Sequence, residues 1–176
     1  METIVLGGGC FWCLEAIYTE LKGVDTATSG YAGGTTSNPS YEEVCTGRTG
    51  HAEVVKVTFD PDVISLHDIL MIFFTFHDPT TLNRQGADIG TEYRSLILYT
   101  DPAQREVIQR TMEEVDGLGI WEDPLVTEVA PLEKFYEAEE YQQQYFAKHG
   151  NQAYCAIMIA PKVSKLRREY RDKLKK

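Results

Sequence analysis

The sequence predicts an α+β fold in which helices pack against an open sheet. Segments with strand-like and helix-like hydrophobic spacing follow one another without strict alternation, so a parallel βαβ arrangement is not expected. Of the 176 residues, 43% are hydrophobic and 25% are charged, which is typical of a globular chain. Because no linker, internal repeat or low-complexity tract interrupts the sequence, we expect residues 1–176 to form a single catalytic domain.

The first third of the chain predicts a strand, a tight glycine turn and a helix, followed by a second strand. Residues 3–6 are an apolar strand that ends in three glycines, and apolar side chains then recur at helical spacing from Cys10 to Leu21. Residues 24–30 form the second expected strand. The turn-rich stretch from Gly33 to Gly50 is a long connection, and connections of that length in small domains are usually functional.

Glu53–Phe59 is expected to be a strand because its residues alternate in polarity. On one face, Glu53 joins Val55, Val57 and Phe59. A carboxyl group that shares a strand face with three large apolar side chains is expected to be buried, and this makes Glu53 a candidate functional residue.

The remaining elements follow from capping residues and periodicity. Ser65 opens a helix with Asp68 at the reciprocal capping position, and His77-Asp78-Pro79 ends it. Asp101-Pro102 has the order of an N-cap and first turn. The other elements expected are a polar loop over 80–91, strands over 92–99, 125–130 and 155–159, and helices over 102–117, 138–148 and 161–176, the last of them basic.

The charge distribution argues against several classes of partner. A net charge of −10 suits neither nucleic acids nor anionic membranes, and we expect the chain to bind neither. The stretch from Lys162 to Lys176 holds eight cations and two carboxylates, which we interpret as a solvated helix end. No run approaches 18 apolar residues and the N-terminus does not resemble a signal peptide, so a cytoplasmic protein is expected.

The chemistry is concentrated at Gly7-Gly8-Gly9-Cys10-Phe11-Trp12-Cys13. In a cytoplasmic chain of this size, four cysteines indicate redox chemistry or metal binding rather than structural disulfides. A thiol at a helix N-terminus meets unpaired N–H groups and the positive end of the helix dipole, so Cys10 is predicted to be a thiolate nucleophile. Cys10-x-x-Cys13 would also suit a thioredoxin-like disulfide exchanger or a non-enzymatic metal carrier. Without a second C-x-x-C or an H-x-x-x-H pattern, we expect no metal.

These residues resemble the A-type peptide methionine sulfoxide reductases. Gly9-Cys10-Phe11-Trp12 is similar to the signature of that family, and the likeness runs in register over roughly residues 4–160. The further matching motifs are Gly30-Tyr31-Ala32-Gly33-Gly34, Asn38-Pro39-Ser40-Tyr41, Gly47-x-x-Gly50-His51-Ala52-Glu53, His77-Asp78-Pro79, Arg84-Gln85-Gly86-x-Asp88 and Gly90-Thr91-x-Tyr93-Arg94-Ser95. The resemblance implies a ferredoxin-like sheet-and-helix core wrapped by long loops, and no bound cofactor.

The resemblance also implies a reaction, the reduction of methionine S-sulfoxide, protein-bound or free, to methionine. Cys10 would attack the sulfur, and Glu53 would deliver a proton to the departing oxygen. The expected burial of Glu53 suits that role, because desolvation raises the pKa of a carboxyl group and keeps it protonated near neutral pH.

Further roles follow from the same resemblance. The phenols Tyr41 and Tyr93 would hold the sulfoxide oxygen, and Asp88 would support the site by hydrogen bonding, through water. Phe11 and Trp12 would form an apolar cage for the substrate methyl group.

The resemblance leaves the regeneration of Cys10 open between two thiols. Attack produces a sulfenic acid, which a second cysteine condenses to a disulfide and an external dithiol, thioredoxin, then reduces. Family members use either a C-terminal cysteine or one inside the signature, which here are Cys155 and Cys13. Cys155 lies in an apolar, strand-like run that is expected to be packed and immobile, so we predict that Cys13 resolves. Cys45 is interpreted as a core residue, His51 as a residue that shapes the loop, and the chain as a monomer.

Overall fold

A mixed six-stranded sheet forms the centre of the computed structural model, which describes residues 1–175. The strands are β1 (Glu2–Gly7), β2 (Val24–Ala32), β3 (Ala52–Phe59), β4 (Arg84–Gln85), β5 (Asp88–Ile89), β6 (Leu96–Tyr99), β7 (Glu128–Pro131) and β8 (Phe135–Glu137). β4 and β5 form a separate two-stranded ribbon, and the other strands run in the order β7-β6-β1-β3-β2-β8. Neighbours are antiparallel except β6 and β7, which are parallel. The predicted α+β class with a mixed sheet is thereby confirmed.

The helices lie between and after these strands, and the capping residues seen in the sequence begin two of them. They are α1 (Phe11–Thr19), α2 (Tyr41–Cys45), α3 (Leu66–Phe76), α4 (Pro102–Leu118), α5 (Tyr145–His149) and α6 (Ala160–Glu169). Ser65 Oγ accepts the Asp68 N–H at 3.1 Å, and Asp101 Oδ1 accepts the Ala103 N–H at 2.8 Å. Within residues 1–175, no helix is long and apolar enough to cross a membrane.

Alternation along the strands divides the apolar core between the two faces of the sheet. Leu6 and Val55 belong to the larger core, to which α1, α3 and α4 also contribute. Val5 and Val54 point the other way into a smaller cluster, against which Phe135 packs. The first four residues of β3 are therefore buried on both faces of the sheet.

The long loop between β2 and β3 is held in place by His51. Its Nδ1 accepts the Gly34 N–H at 3.0 Å, and its Nε2 lies 2.6 Å from the Thr36 carbonyl oxygen, to which it donates. Inside this loop, α2 starts with a capping box formed by Ser40 and Glu43. The interpretation of His51 as a residue that shapes the loop is confirmed.

The segment 138–148 is not the helix predicted from its periodicity. β8 ends at Glu137, a 3-10 turn covers Glu140–Gln142, and α5 has only five residues. Gln143 pairs instead with the backbone of Ser29, because its Oε1 accepts the Ser29 N–H at 3.0 Å and its Nε2 donates to the Ser29 carbonyl at 2.9 Å. Residues 138–149 are called the strap below. Their polar side chains bind other segments of the chain, and hydrophobic spacing does not reveal such contacts.

The run 155–159 is a π-helical turn, Cys155–Ile159, that leads into α6, and the strand predicted there is wrong. A short apolar run has no distinctive period, so spacing alone does not separate a strand from a buried helical turn. Here Cys155 and Ile159 pack in one cluster with Cys13 and Val163. The strand predicted over 92–99 likewise starts only at Leu96, because a 3-10 turn precedes it.

The basic C-terminal segment is docked on the body of the protein rather than wholly solvated. α6 ends at Glu169, earlier than predicted. Arg167 donates to the Glu20 carboxylate from Nε at 3.1 Å and from Nη2 at 2.6 Å. Lys173 Nζ lies 3.1 Å from Asp68 Oδ2. Lys176 lies outside the described residues.

Replacing Gly34 with alanine is expected to lower the free energy of unfolding by about 3 kcal/mol. A Cβ there would overlap the His51 amide nitrogen and lie 2.5 Å from the Thr49 carbonyl oxygen, and neither backbone atom can rotate away. Urea denaturation measures the change. Gly117→Ala in α4 is the matched control, since no heavy atom lies within 4 Å of the added Cβ. Equal losses in both variants would contradict the steric argument.

Candidate active site

Cys10 lies where the glycine turn after β1 passes into α1. It is the half-buried N-cap residue of that helix, and its side chain caps none of the helical N–H groups. Gly9 has a φ of 88°, in the left-handed region that favours glycine. The Gly9 N–H donates to the Tyr93 carbonyl at 3.2 Å. The turn therefore ties Cys10 to the 3-10 turn that holds Tyr93.

Glu53 is buried beside Cys10, at the start of β3, with 1% of its surface exposed. Its Oε1 accepts the Phe11 N–H at 3.2 Å, whereas its Oε2 has no hydrogen-bond partner within residues 1–175. Burial raises the pKa of Glu53 to about 8, and the charges of Asp88 and Glu92 add to the increase. At neutral pH the carboxyl group is therefore protonated, and its Oε2 is available to form a hydrogen bond with a ligand.

In the absence of substrate, burial favours the Cys10 thiol and works against the thiolate predicted from its position at the helix N-terminus. Desolvation raises the pKa of Cys10 well above its ordinary value, and the charges of Glu53 and Cys13 raise it further. The Trp12 amide and the Tyr154 phenol act in the opposite direction but do not outweigh burial. The first N–H of the helix binds Glu53 and so is not free to stabilise a thiolate.

Tyr41 and Tyr93 are half-buried beside the same carboxyl group. Burial and then the Glu53 charge raise the pKa of both phenols, so both remain O–H donors near neutral pH. The Tyr41 ring stacks on Phe11, with centroids 6.5 Å apart. Two phenol donors and one protonated carboxyl group thus lie close to the Cys10 thiol.

Phe11 and Trp12, the pair predicted to form an apolar cage, have different surroundings. Phe11 has no exposed surface and packs between the rings of Tyr31 and Tyr41. Trp12 is half-buried and stacks on Tyr145, with centroids 3.7 Å apart and planes 4° from parallel. Of the pair, only Trp12 presents surface beside Cys10, while Phe11 supports the Tyr41 ring from beneath.

Asp88 accepts a direct hydrogen bond from the Tyr154 phenol at 3.0 Å. That phenol also lies near the thiols of Cys10 and Cys13, and its ring meets Trp12 edge-on at 5.8 Å. Asp88 is therefore in the site, as expected, and its partner in the structure is the Tyr154 side chain.

Sequence reasoning missed several residues that surround Trp12. Gln142 Oε1 accepts the Trp12 Nε1–H at 2.9 Å, and Tyr145 and Tyr154 enclose the indole ring. A dense run of tyrosine and glutamine over 141–145 is the one signal in the sequence that could have drawn attention to this segment.

The four cysteines are all unpaired, and they occupy different surroundings. Cys13 and Cys155 are buried in one apolar cluster, whereas Cys45 is exposed at the end of α2, against Tyr41. The interpretation of Cys45 as a core residue is therefore wrong, since α2 presents this position to solvent. Over residues 1–175 there is no group of three or more His, Cys, Asp or Glu side chains that could hold a metal ion.

Comparison with known proteins agrees with this arrangement. The family model described as peptide methionine sulfoxide reductase matches residues 2–174. The peptide methionine sulfoxide reductase MsrA of Natronomonas pharaonis is 52% identical over 172 residues, which are 98% of this chain and 97% of the relative. Reduced Mxr1 from Saccharomyces cerevisiae superposes with a TM-score of 0.80 at 36% identity, covering 88% of each chain. Methionine sulfoxide reductase A of Corynebacterium diphtheriae gives 0.75 at 39% identity, covering 84% of this chain and 74% of the other.

A cysteine thiol beside a buried, protonated carboxyl group and two phenols is the arrangement of a thiol-dependent oxidoreductase. The matches identify which one. The chain belongs to the peptide methionine sulfoxide reductase family, and the resemblance first seen in its motifs is confirmed.

Glu53→Gln is expected to stabilise the protein increasingly as the pH rises. The pKa of Glu53 is about 8 in the folded state, against an ordinary value of 4.5, so the stability that this proton contributes is full below pH 4.5 and is lost as the pH rises through 8. Between those values the variant should gain on the wild type by an amount on the order of 4 kcal/mol. Urea unfolding across this range measures the difference. The exposed Glu113→Gln is the control, and a pH-independent difference for Glu53→Gln would show that the carboxyl group is ionised.

Proposed function

We propose that this reductase acts on methionine S-sulfoxide, protein-bound or free, through attack of Cys10 on the sulfoxide sulfur. The observation that carries the assignment is the unpartnered Oε2 of Glu53, buried beside the Cys10 thiol. A sulfoxide oxygen is a strong hydrogen-bond acceptor, and a protonated carboxyl group whose O–H has no acceptor is complementary to it.

The two protonated groups suggest how the thiol is activated. As the Cys10 sulfur bonds to the substrate sulfur, Glu53 gives its proton to the sulfoxide oxygen and its carboxylate accepts the thiol proton. The S–O bond and the new bond between the two sulfurs then break, as the hydroxyl group passes to the Cys10 sulfur. The products are methionine and a Cys10 sulfenic acid, so the sulfur of the substrate is reduced and that of Cys10 is oxidised.

The surrounding side chains supply orientation. Tyr41 and Tyr93 donate their phenol O–H groups to the same oxygen, which stabilises the charge it gains during attack. Trp12 offers its exposed edge to the substrate methyl group, and Phe11 keeps the Tyr41 ring in position. Asp88 acts through Tyr154, whose phenol it holds beside the thiols.

Cys13 is proposed as the thiol that resolves the sulfenic acid. It follows Cys10 by one helical turn, and its N–H donates to the Cys10 carbonyl at 3.1 Å. Side chains three residues apart on a helix have Cβ atoms about 5–6 Å apart. A disulfide needs about 3.5–4.5 Å, so a small adjustment of the first turn of α1 would close it, with release of water.

An external dithiol then reduces the disulfide, and we propose thioredoxin. Mxr1 from Saccharomyces cerevisiae, solved in complex with Trx2, superposes on this chain with a TM-score of 0.56 at 26% identity. A cycle that depends on unpaired thiols also suits a reducing compartment, so we propose the cytoplasm. Residues 1–176 are proposed to act as a single catalytic domain, and the monomer remains a prediction.

Cys10→Ser should abolish methionine formation, because a hydroxyl group lacks the acidity and nucleophilicity to attack sulfur. Glu53→Gln should lower the rate by about 10²-fold, since a general acid contributes roughly that much. Resolved methionine sulfoxide epimers with dithiothreitol provide the assay. A thioredoxin-like exchanger would tolerate Glu53→Gln, and a metal carrier would contain stoichiometric zinc or copper by elemental analysis. No methionine from either epimer would refute the proposed activity.

After one turnover without a reductant, peptide mapping should find a disulfide between Cys10 and Cys13. Cys13→Ser should keep the first turnover and lose cycling with thioredoxin, because the sulfenic acid then has no nearby thiol. Cys155→Ala, which removes the other buried thiol of the cluster, is the comparison and should still cycle. A bridge from Cys10 to Cys155, with loss of cycling in Cys155→Ala, would show instead that the turn at Cys155–Ile159 moves.

A further inference from the structure

Glu139, on the strap, joins two tyrosines that come from different segments. Its Oε1 accepts the Tyr31 phenol O–H at 2.8 Å, and its Oε2 accepts the Tyr41 backbone N–H at 3.1 Å. A third donor, the Tyr141 phenol, lies 3.3 Å from Oε2. The carboxylate therefore links β2 to the first residue of α2.

Both linked tyrosines border the reaction site. Tyr31 pairs with Glu53 across β2 and β3, and its ring packs on Phe11 with centroids 5.7 Å apart. Tyr41 is the first residue of α2, and its ring also stacks on Phe11, with centroids 6.5 Å apart. A shift of the Tyr41 backbone would therefore carry the phenol away from Glu53.

The charge state of Glu139 suits the contact. Partial burial acts to raise its pKa, but hydrogen bonds from its own N–H, from Tyr41, Tyr31 and Tyr141 lower it below the ordinary value. It is an anion at neutral pH, located at the N-terminal turn of α2, where it accepts the Tyr41 N–H that has no partner within the helix. α2 has five residues and lies in a long loop, so it has little other support.

We propose that Glu139 is a positioning residue for Tyr41, which holds the Tyr41 phenol on the sulfoxide oxygen by binding the Tyr41 N–H and anchoring it to Tyr31. This rests on the proposed function, in which Tyr41 donates to that oxygen. Glu139 touches neither the substrate nor the reacting sulfur. Its effect passes through the backbone of α2 alone.

A double-mutant cycle tests the proposal. Glu139→Gln keeps the shape of the side chain but replaces one accepting oxygen with an NH₂ group, so that one of the two anchors is lost. It is made in the wild type and in Tyr41→Phe, with the exposed neighbour Glu140→Gln as the matched control. Methionine formation is followed by rapid quench during the first turnover, without reductant and at saturating methionine S-sulfoxide. The burst amplitude counts competent Cys10 sites, and the burst rate reports the chemistry.

In the wild-type background, Glu139→Gln is expected to lower the burst rate by about tenfold at unchanged amplitude, since misplacement of a catalytic group by a fraction of an ångström has effects of this size. In Tyr41→Phe it should change the rate by less than about twofold, because effects that pass through one group do not add. Glu140→Gln should change neither the burst rate nor the burst amplitude, in the wild type or in Tyr41→Phe.

Two results would overturn the proposal. Equal loss of rate in both backgrounds would show that Glu139 does not act through Tyr41, and loss of amplitude alone would show that it serves folding only. Tyr31→Phe, which removes one hydrogen-bond donor and keeps the ring, decides the matter if Glu139→Gln does not fold, and should lower the rate in the wild type but not in Tyr41→Phe. The role that the proposed function gives to Tyr41 is tested separately. If Tyr41→Phe alone leaves the burst rate unchanged, Tyr41 does not donate to the sulfoxide oxygen.

Discussion

The hydrogen bond from the Phe11 N–H to Glu53 is the contact on which the rest of the active site depends. It joins the start of α1 to the start of β3, and it uses the first free donor of the helix. Because that donor binds the carboxyl group, it is not available to the Cys10 sulfur, on which only the Trp12 amide of this helix end acts to lower the pKa. The other carboxyl oxygen is buried and has no hydrogen-bond partner within residues 1–175. The contact thus holds Glu53 beside Cys10, and the burial of both groups raises the pKa of each.

The site is assembled from segments that are distant in the chain, and the strap keeps them together. Gln142 binds the Trp12 indole, Gln143 pairs with Ser29, and Tyr145 stacks on Trp12. Glu15, a buried residue of α1, adds to this by accepting hydrogen bonds from the backbone of Gln144 and Tyr145, and desolvation raises its pKa to about 6. The strap has little regular structure of its own because its polar side chains are used to fasten other elements.

The sequence was sufficient for those features that depend on local chemistry. Ser65 and Asp101 cap their helices as predicted, since a capping bond involves only neighbouring residues. The burial of Glu53 followed from strand alternation, because the face that it shares with Val55 is the core face. The order of the motifs along the chain was enough to identify the family, and the comparisons confirm that identification.

Features that depend on tertiary contacts could not be predicted in this way. The strap looks helical because its hydrophobic spacing does not reveal that Gln143 binds Ser29. Nothing local to Cys10 shows that the Phe11 N–H binds Glu53, or that burial raises the pKa of the thiol against the effect of the helix dipole. Glu139 belongs to no motif that the sequence analysis identified. Its hydrogen bonds to Tyr31 and Tyr41 can be recognised only once the fold places β2 and α2 side by side.

The protonated state of Cys10 has a consequence for a protein whose substrates arise from oxidative damage. Peroxides and electrophiles react with thiolates far faster than with thiols, because the anion is the nucleophile. Burial raises the pKa of the Cys10 thiol, and a thiol with a raised pKa is less reactive towards such reagents. Burial of two acidic groups side by side, which costs stability, lets the enzyme survive the conditions that create its substrate.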